Sequence, residues 1–192
     1  DSFNFRHGTD AFTISGTYLM QSGLESRFSV GVKKGEEKKL RCDGKNCRIA
    51  EHIGRLPAVF VSPSDISLVS DSPEERRRFI NSVISQMDQE YMFRLQQYNR
   101  LLAQRNAFLR DGVGDMSLLA VIDAKMSTLA EGIYERRRDF CEPLAAAVND
   151  CYHRLSNGRE SVSVRYRSDL DGTDLETLLQ KSIERDRIMK YT

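Results

Sequence analysis

The sequence has almost no net charge: 29 Lys and Arg against 28 Asp and Glu leave +1 over 192 residues. Binding of nucleic acid through bulk charge is therefore excluded, and any such binding has to come from a local patch. No apolar run approaches the roughly 20 residues that a membrane span requires, and no secretory segment is recognisable. The four cysteines are not tightly paired, which argues against a disulfide scaffold and for a reduced, cytoplasmic protein without membrane contact. The chain starts at Asp1 rather than Met and stops at Thr192, so it reads as an excised piece.

Nucleotide and metal chemistry are also missing their parts. Gly44-Lys45 has the end of a P-loop, but position 39, where the first glycine should stand, is Lys; without it the backbone cannot wrap a phosphate. "LAVID" (119–123) has the outline of a Walker B strand, yet it falls inside a helical stripe and reads as core with a surface Asp123. "LSNGRE" (155–160) resembles an ABC signature, which should open a helix and offer free N–H groups to phosphate; here it closes one. Cys42, Cys47 and His52 fall short of the four ligands of tetrahedral zinc, and His7 and His153 are too scattered to complete them. Ser, His and Asp occur in no nucleophile-elbow context. No catalytic residue, bound cofactor or metal is expected within this chain.

What is present begins with 40% apolar residues, enough for one sizeable core or two modest ones. "DAFTISGTYLM" and "ESRFSVGVKKG" alternate in polarity as paired antiparallel strands do. Asp43-Gly44 between two short runs is a hairpin turn. Leu56 to Val61, a continuous apolar run closed by Pro63, predicts a strand buried on both faces.

The period then changes. Ser72 is the expected N-cap, with Pro73 at the first helical position and Glu75 three residues after the cap. Helix is predicted to Leu109 with a joint near Asp88, its stripe formed by Tyr91, Leu95, Tyr98, Leu102 and Leu109. After the turn at 110–115 a second long helix carries Leu118, Ile122, Met126, Leu129, Ile133, Phe140, Leu144, Val148 and Cys151 inward, with Pro143 as a kink and Gly158 as a stop. The two helices form an antiparallel hairpin. "SVSVRYR" (161–167) predicts a strand, and a last helix starts at Thr173 or Asp174. The fold class is α+β, with a β-rich part at 1–71, a helical domain at 72–158 and a returning strand and helix at 159–192.

Two basic clusters stand out. Lys33, Lys34, Lys38, Lys39, Arg41, Lys45, Arg48 and Arg55 face four acids between 31 and 55, a local +4. Charge of this kind either protects an edge strand or contacts DNA phosphates without reading sequence. Arg76, Arg77 and Arg78 open a helix, where the macrodipole disfavours cations. Successive helical residues diverge by about 100°, so the three cannot share one ligand; at least one should hold a carboxylate or phosphate. "ERRR" at 135–138 reads as a solvated face.

The stretch from Ser62 to Asn81 resembles the signature of the RecF family of DNA replication and repair proteins. Pro63, Leu68-Val69, Ser72-Pro73, Arg76-Arg77, Phe79, Ile80 and Asn81 stand in register. Ser64 replaces an acid, with Asp65 beside it, and Asp71 replaces a glycine. "YNRLLAQRNAFLR", "IYERRRDF" and "ERDRIMKYT" are similar to further family segments, so the likeness runs through the whole chain.

The resemblance implies the antiparallel β-rich part of an ABC-type, SMC-like ATPase head with an inserted helical lever domain, cut from the middle of a longer protein. It implies ATP and Mg²⁺ for the parent, an ATP-dependent homodimer, and binding to double-stranded and gapped DNA. It also implies work with RecO and RecR in loading RecA during replication, recombinational repair and the SOS response. Ser62, Pro63, Asp65, Pro73, Arg76, Arg77 and Phe79 would form the joint between head and lever. The rival reading from the residues alone is a self-contained helical-hairpin interaction module without ATPase activity.

Overall fold

In the computed structural model the described residues are 4–70, 72–112 and 116–192. They form two compact units, one ending at Ala58 and the other starting at Val59.

The first unit is a four-stranded antiparallel meander in the order β1-β2-β3-β4: Ala11–Leu19, Glu25–Lys33, Lys39–Cys42 and Lys45–Cys47. Asp43 (φ 49°) and Gly44 (φ 79°) occupy the left-handed region that a two-residue hairpin turn demands. The register sets Thr13 opposite Gly31, Ser15 opposite Ser29, and Ser29 opposite Arg41, which makes one face polar. The other face carries Phe28, Val32 and Leu40, all buried, with His52 of the short helix α1 (Ile49–His52) tilted against Phe28 at 5.1 Å.

The second unit is helical: α2 (Ser67–Ser70), α3 (Pro73–Met87), α4 (Gln89–Asp111), α5 (Met116–Leu155) and α6 (Leu175–Met189). Ser72 and Pro73 open α3 as expected, although the Ser72 side chain makes no cap bond. The joint falls at Asp88, which ends α3 and caps α4 by accepting from Tyr91 N–H at 3.0 Å. Gly112 (φ 65°) closes α4; the rest of the expected turn, 113–115, lies outside the described residues, as does Asp71. Helix α5 continues through Pro143, and Asp174 caps α6 by accepting from Thr177 N–H at 2.7 Å. Ile84, Tyr91 and Ile133 form the centre of the core where α3, α4 and α5 meet.

Four expectations need correction. Leu56 to Val61 forms no strand among the described residues, and Val59, Phe60 and Val61 are 92%, 88% and 78% exposed. An apolar run becomes a buried strand only where a ladder partner exists, and β1–β4 pair with one another instead. Residues 161–167 are also not a strand; they form no regular element, with Val162, Val164 and Tyr166 half-buried and the alternate residues exposed. Leu118, Val148 and Cys151 are exposed, because the buried stripe of α5 runs through Leu119, Ile122, Met126, Ala130 and Ile133 and does not reach the helix's C-terminal end. Asp123 is not on the surface but buried.

Candidate functional site

The basic hairpin lies in the sheet unit. Its charges are partly engaged: Glu36 accepts from both Lys33 and Lys39, which holds its carboxyl below the usual range. Lys34 pairs with Asp10 at 3.0 Å, and Arg48 Nε with Glu51 at 2.7 Å. Arg41 and Lys45 are exposed and make no ion pair among the described residues. The register adds a point that composition could not. Strand β3 is paired on both sides over residues 40–42, so Arg41 guards no edge, whereas Lys39 has a partner on β2 alone and Lys45 lies on the edge strand β4.

The signature residues lie in the helical unit. Asp65 accepts from Ser62 N–H at 2.6 Å and from Ser62 Oγ at 3.2 Å, closing a 3₁₀ turn that starts at Pro63. Arg76 donates to the Leu68 carbonyl at 3.2 Å, tying α3 to α2. Arg78 pairs with Glu75 at 2.9 Å. Arg77 is exposed and lines a groove beside α3, and Phe79 is 41% exposed. The three arginines thus diverge, as helical geometry requires, and Arg78 takes a carboxylate.

The last signature residue, Asn81, holds the joint together. Its Oδ1 accepts from Tyr91 Oη at 2.6 Å and from Arg137 at 3.1 Å (Nε) and 2.8 Å (Nη2). Arg137 also reaches Tyr91 Oη at 3.1 Å. Burial pushes the Tyr91 phenol up, so it stays neutral and able to donate. Arg137 therefore corrects the expectation for 135–138: Arg136 and Arg138 are exposed, but Arg137 turns inward, and Arg136 Nε adds a 2.8 Å pair to Asp88. The Asp88 carboxyl sits below its usual range, first through the Tyr91 N–H and then through Arg136.

A second network escaped sequence reasoning. Arg105 of α4 is fully buried, with Nε on Asp123 of α5 at 2.7 Å and Nη1 on Asp186 of α6 at 2.9 Å. The same Nη1 donates to Thr192 Oγ1 at 2.8 Å, and Asn106 Oδ1 accepts from Thr192 N–H at 2.9 Å. One guanidinium thus fastens three helices and the segment after α6. Charges inside apolar stripes were the available signal: Arg105 lies between Leu102 and Leu109, and Asp123 between Ile122 and Met126. A buried charge of this kind requires partners.

Neither network fits a nucleotide or metal. In the chain's Gly-Lys pair, Gly44 ends the two-residue turn after β3 and Lys45 begins β4, which is not a phosphate cradle. Among the described residues no group of three or more His, Cys, Asp or Glu is placed to hold a metal ion. No described helix is long and apolar enough to cross a membrane.

No family model matches the chain. It is 37% identical over 194 residues to the DNA replication and repair protein RecF of Porphyromonas gingivalis, an alignment covering all of this chain and 53% of that protein. It is 34% identical to RecF of Flavobacterium johnsoniae, covering 98% of this chain and 54% of that one. Two solved structures of the recombination mediator protein RecF in the RecFOR pathway share the fold. The one with ATPrS superposes with a TM-score of 0.87 at 24% identity, covering 100% of this chain and 55% of that chain. The one with ATP gives 0.86 at 25%, covering 100% and 54%.

Fold and neighbours define the class: an α+β chain, an antiparallel four-stranded sheet and a helical domain built on a long hairpin, with the fold of RecF, which is of the ABC ATPase family. Within that class, the chain belongs to the RecF family. It spans about half the length of the curated relatives it matches.

Proposed function

We propose that the chain supplies the β-rich head flank and the helical lever of a RecF-type DNA repair ATPase. The observation that carries the reading is likeness along the whole chain, 37% identity to a RecF and a TM-score of 0.87 to another, rather than any single motif. In this reading the parent binds ATP with Mg²⁺ through residues outside this chain and dimerises around nucleotide. It acts with RecO and RecR on gapped duplex DNA to help load RecA.

The basic hairpin is the DNA-binding surface. Arg41 projects from a position paired on both sides, Arg41 and Lys45 make no ion pair among the described residues, and the lysines held by Glu36 can exchange a carboxylate for a phosphate. The turn from Ser62 to Asp65, with Arg76 reaching back to Leu68, is the joint that passes movement of the head to the helical domain.

The test is the salt dependence of duplex binding. Each phosphate that the protein no longer neutralises lowers the log–log slope by about 0.9, so Lys39→Ala with Arg41→Ala should lower it by about 2. An unchanged slope would remove the hairpin from the DNA-binding surface.

A further inference from the structure

In the helical unit, hydrogen-bond donors without acceptors converge on one groove. This groove, of about 580 Å³, lies among α3, α4, α5 and the segment leading into α6. Arg77 enters it from α3 and makes no ion pair or hydrogen bond among the described residues. Asn81 has its Oδ1 occupied by Tyr91 and Arg137, which assigns the amide orientation and leaves the two N–H bonds of Nδ2 to face elsewhere. That nitrogen is not among the buried atoms lacking a partner, so it meets solvent. Tyr98 and Asn99 of α4 line the same groove without a side-chain hydrogen bond of their own.

Its floor is apolar, formed by Leu95, Leu102, Ile133 and Leu178. Two carboxylates also line it: Glu74, within 3.9 Å of Arg78, and Asp169. Donors therefore exceed acceptors around an aliphatic surface.

We propose that this groove docks an acidic, aliphatic segment of a partner protein. A carboxylate of the segment sits on Arg77 and the Asn81 and Asn99 amides, and a neighbouring aliphatic side chain covers the leucines. Arg offers a planar fork that matches one carboxylate, and the volume suits one or two side chains. A nucleic-acid backbone fits poorly, because it has no aliphatic group for the floor and would carry a row of phosphates past Glu74 and Asp169. The groove is independent of the DNA-binding reading, which uses the other unit.

The test titrates the ¹⁵N-labelled chain with a capped peptide of alternating aspartate and leucine, following the side-chain amide signals of Asn81 and Asn99. Both should shift saturably, and replacing the aspartates by asparagine or the leucines by alanine should weaken binding. Arg77→Ala should weaken it by about tenfold or more, the scale of removing a hydrogen bond to a charged group. Arg77→Lys should recover part of that affinity, since charge returns without the fork. Arg77 is exposed, so neither change should alter the melting temperature. Absence of shifts at millimolar peptide, or equal affinity in Arg77→Ala, would overturn the proposal. So would tighter binding of inorganic phosphate or a short duplex at the same amides, which would assign the groove to phosphate chemistry.

Discussion

The two units of this chain are stabilised by different means. The sheet unit relies on local ladders: consecutive strands pair in order, and its buried apolar residues are Phe28, Val32 and Leu40. Ile14, Leu19 and Leu24 remain 63%, 75% and 70% exposed, so much of its apolar surface is uncovered. The helical unit packs residues far apart in sequence and threads two charged networks through the interface, one on Arg105 and one on Arg137. The difference separates tasks. Exposed cations on an open sheet are available to an external polyanion, whereas buried guanidinium groups fix the angles between helices.

Removing the Arg105 guanidinium should show the contrast most strongly. Arg105→Ala strands Asp123 and Asp186 in the interior, and breaking a buried charge network in this way costs about 3–5 kcal/mol. Thermal unfolding followed by hydrogen exchange should show α4, α5 and α6 losing protection while β1–β4 keep theirs. Equal loss in both units would mean that they are not energetically distinct. Asn81→Ala should have a smaller effect, about 1–3 kcal/mol, because Arg137 and Tyr91 lose a shared acceptor. Chemical denaturation that leaves the midpoint unmoved would show that the joint is held by its apolar packing alone.

The smallest effect concerns acid. Asp88 titrates lower in the folded chain than in the unfolded one. Its contribution is therefore complete above about pH 4, the ordinary aspartate range, and disappears as pH falls through the lower folded value. The pair with Arg136 is partly exposed, so the contribution is at most about 1 kcal/mol. Asp88→Asn keeps a capping side chain and should flatten the acid limb of a stability–pH curve by that amount; an unaltered limb would place the acid sensitivity elsewhere.

Local chemistry was legible in the sequence. A joint near Asp88, a helix start at Thr173 or Asp174, Pro73 at a helix start and Asp43-Gly44 as a turn each depend on a few neighbouring residues; the joint falls at Asp88, the cap is Asp174, and the other two stand where expected. Partnership was not legible. The run from Leu56 to Val61 gives the apolar character of a central strand but not the strands that would flank it. The alternation at 161–167 survives as alternating burial without a ladder. Asp123 and Arg137 look solvated from their own charge, because the residues that hydrogen-bond them come from other helices, 18 and 56 positions away. For the basic cluster, sequence weighs edge protection and DNA binding equally; the register adds that Arg41 has ladder partners on both sides and so guards no edge.

The division of labour between the units is tested most directly by titrating the ¹⁵N-labelled chain with a short DNA duplex at low salt and mapping the amide shifts. The account predicts shifts at Lys39, Arg41, Lys45 and their neighbours that fade as salt rises, with α3–α6 undisturbed. Shifts confined to the helical unit, or none in the sheet at any salt concentration, would contradict it.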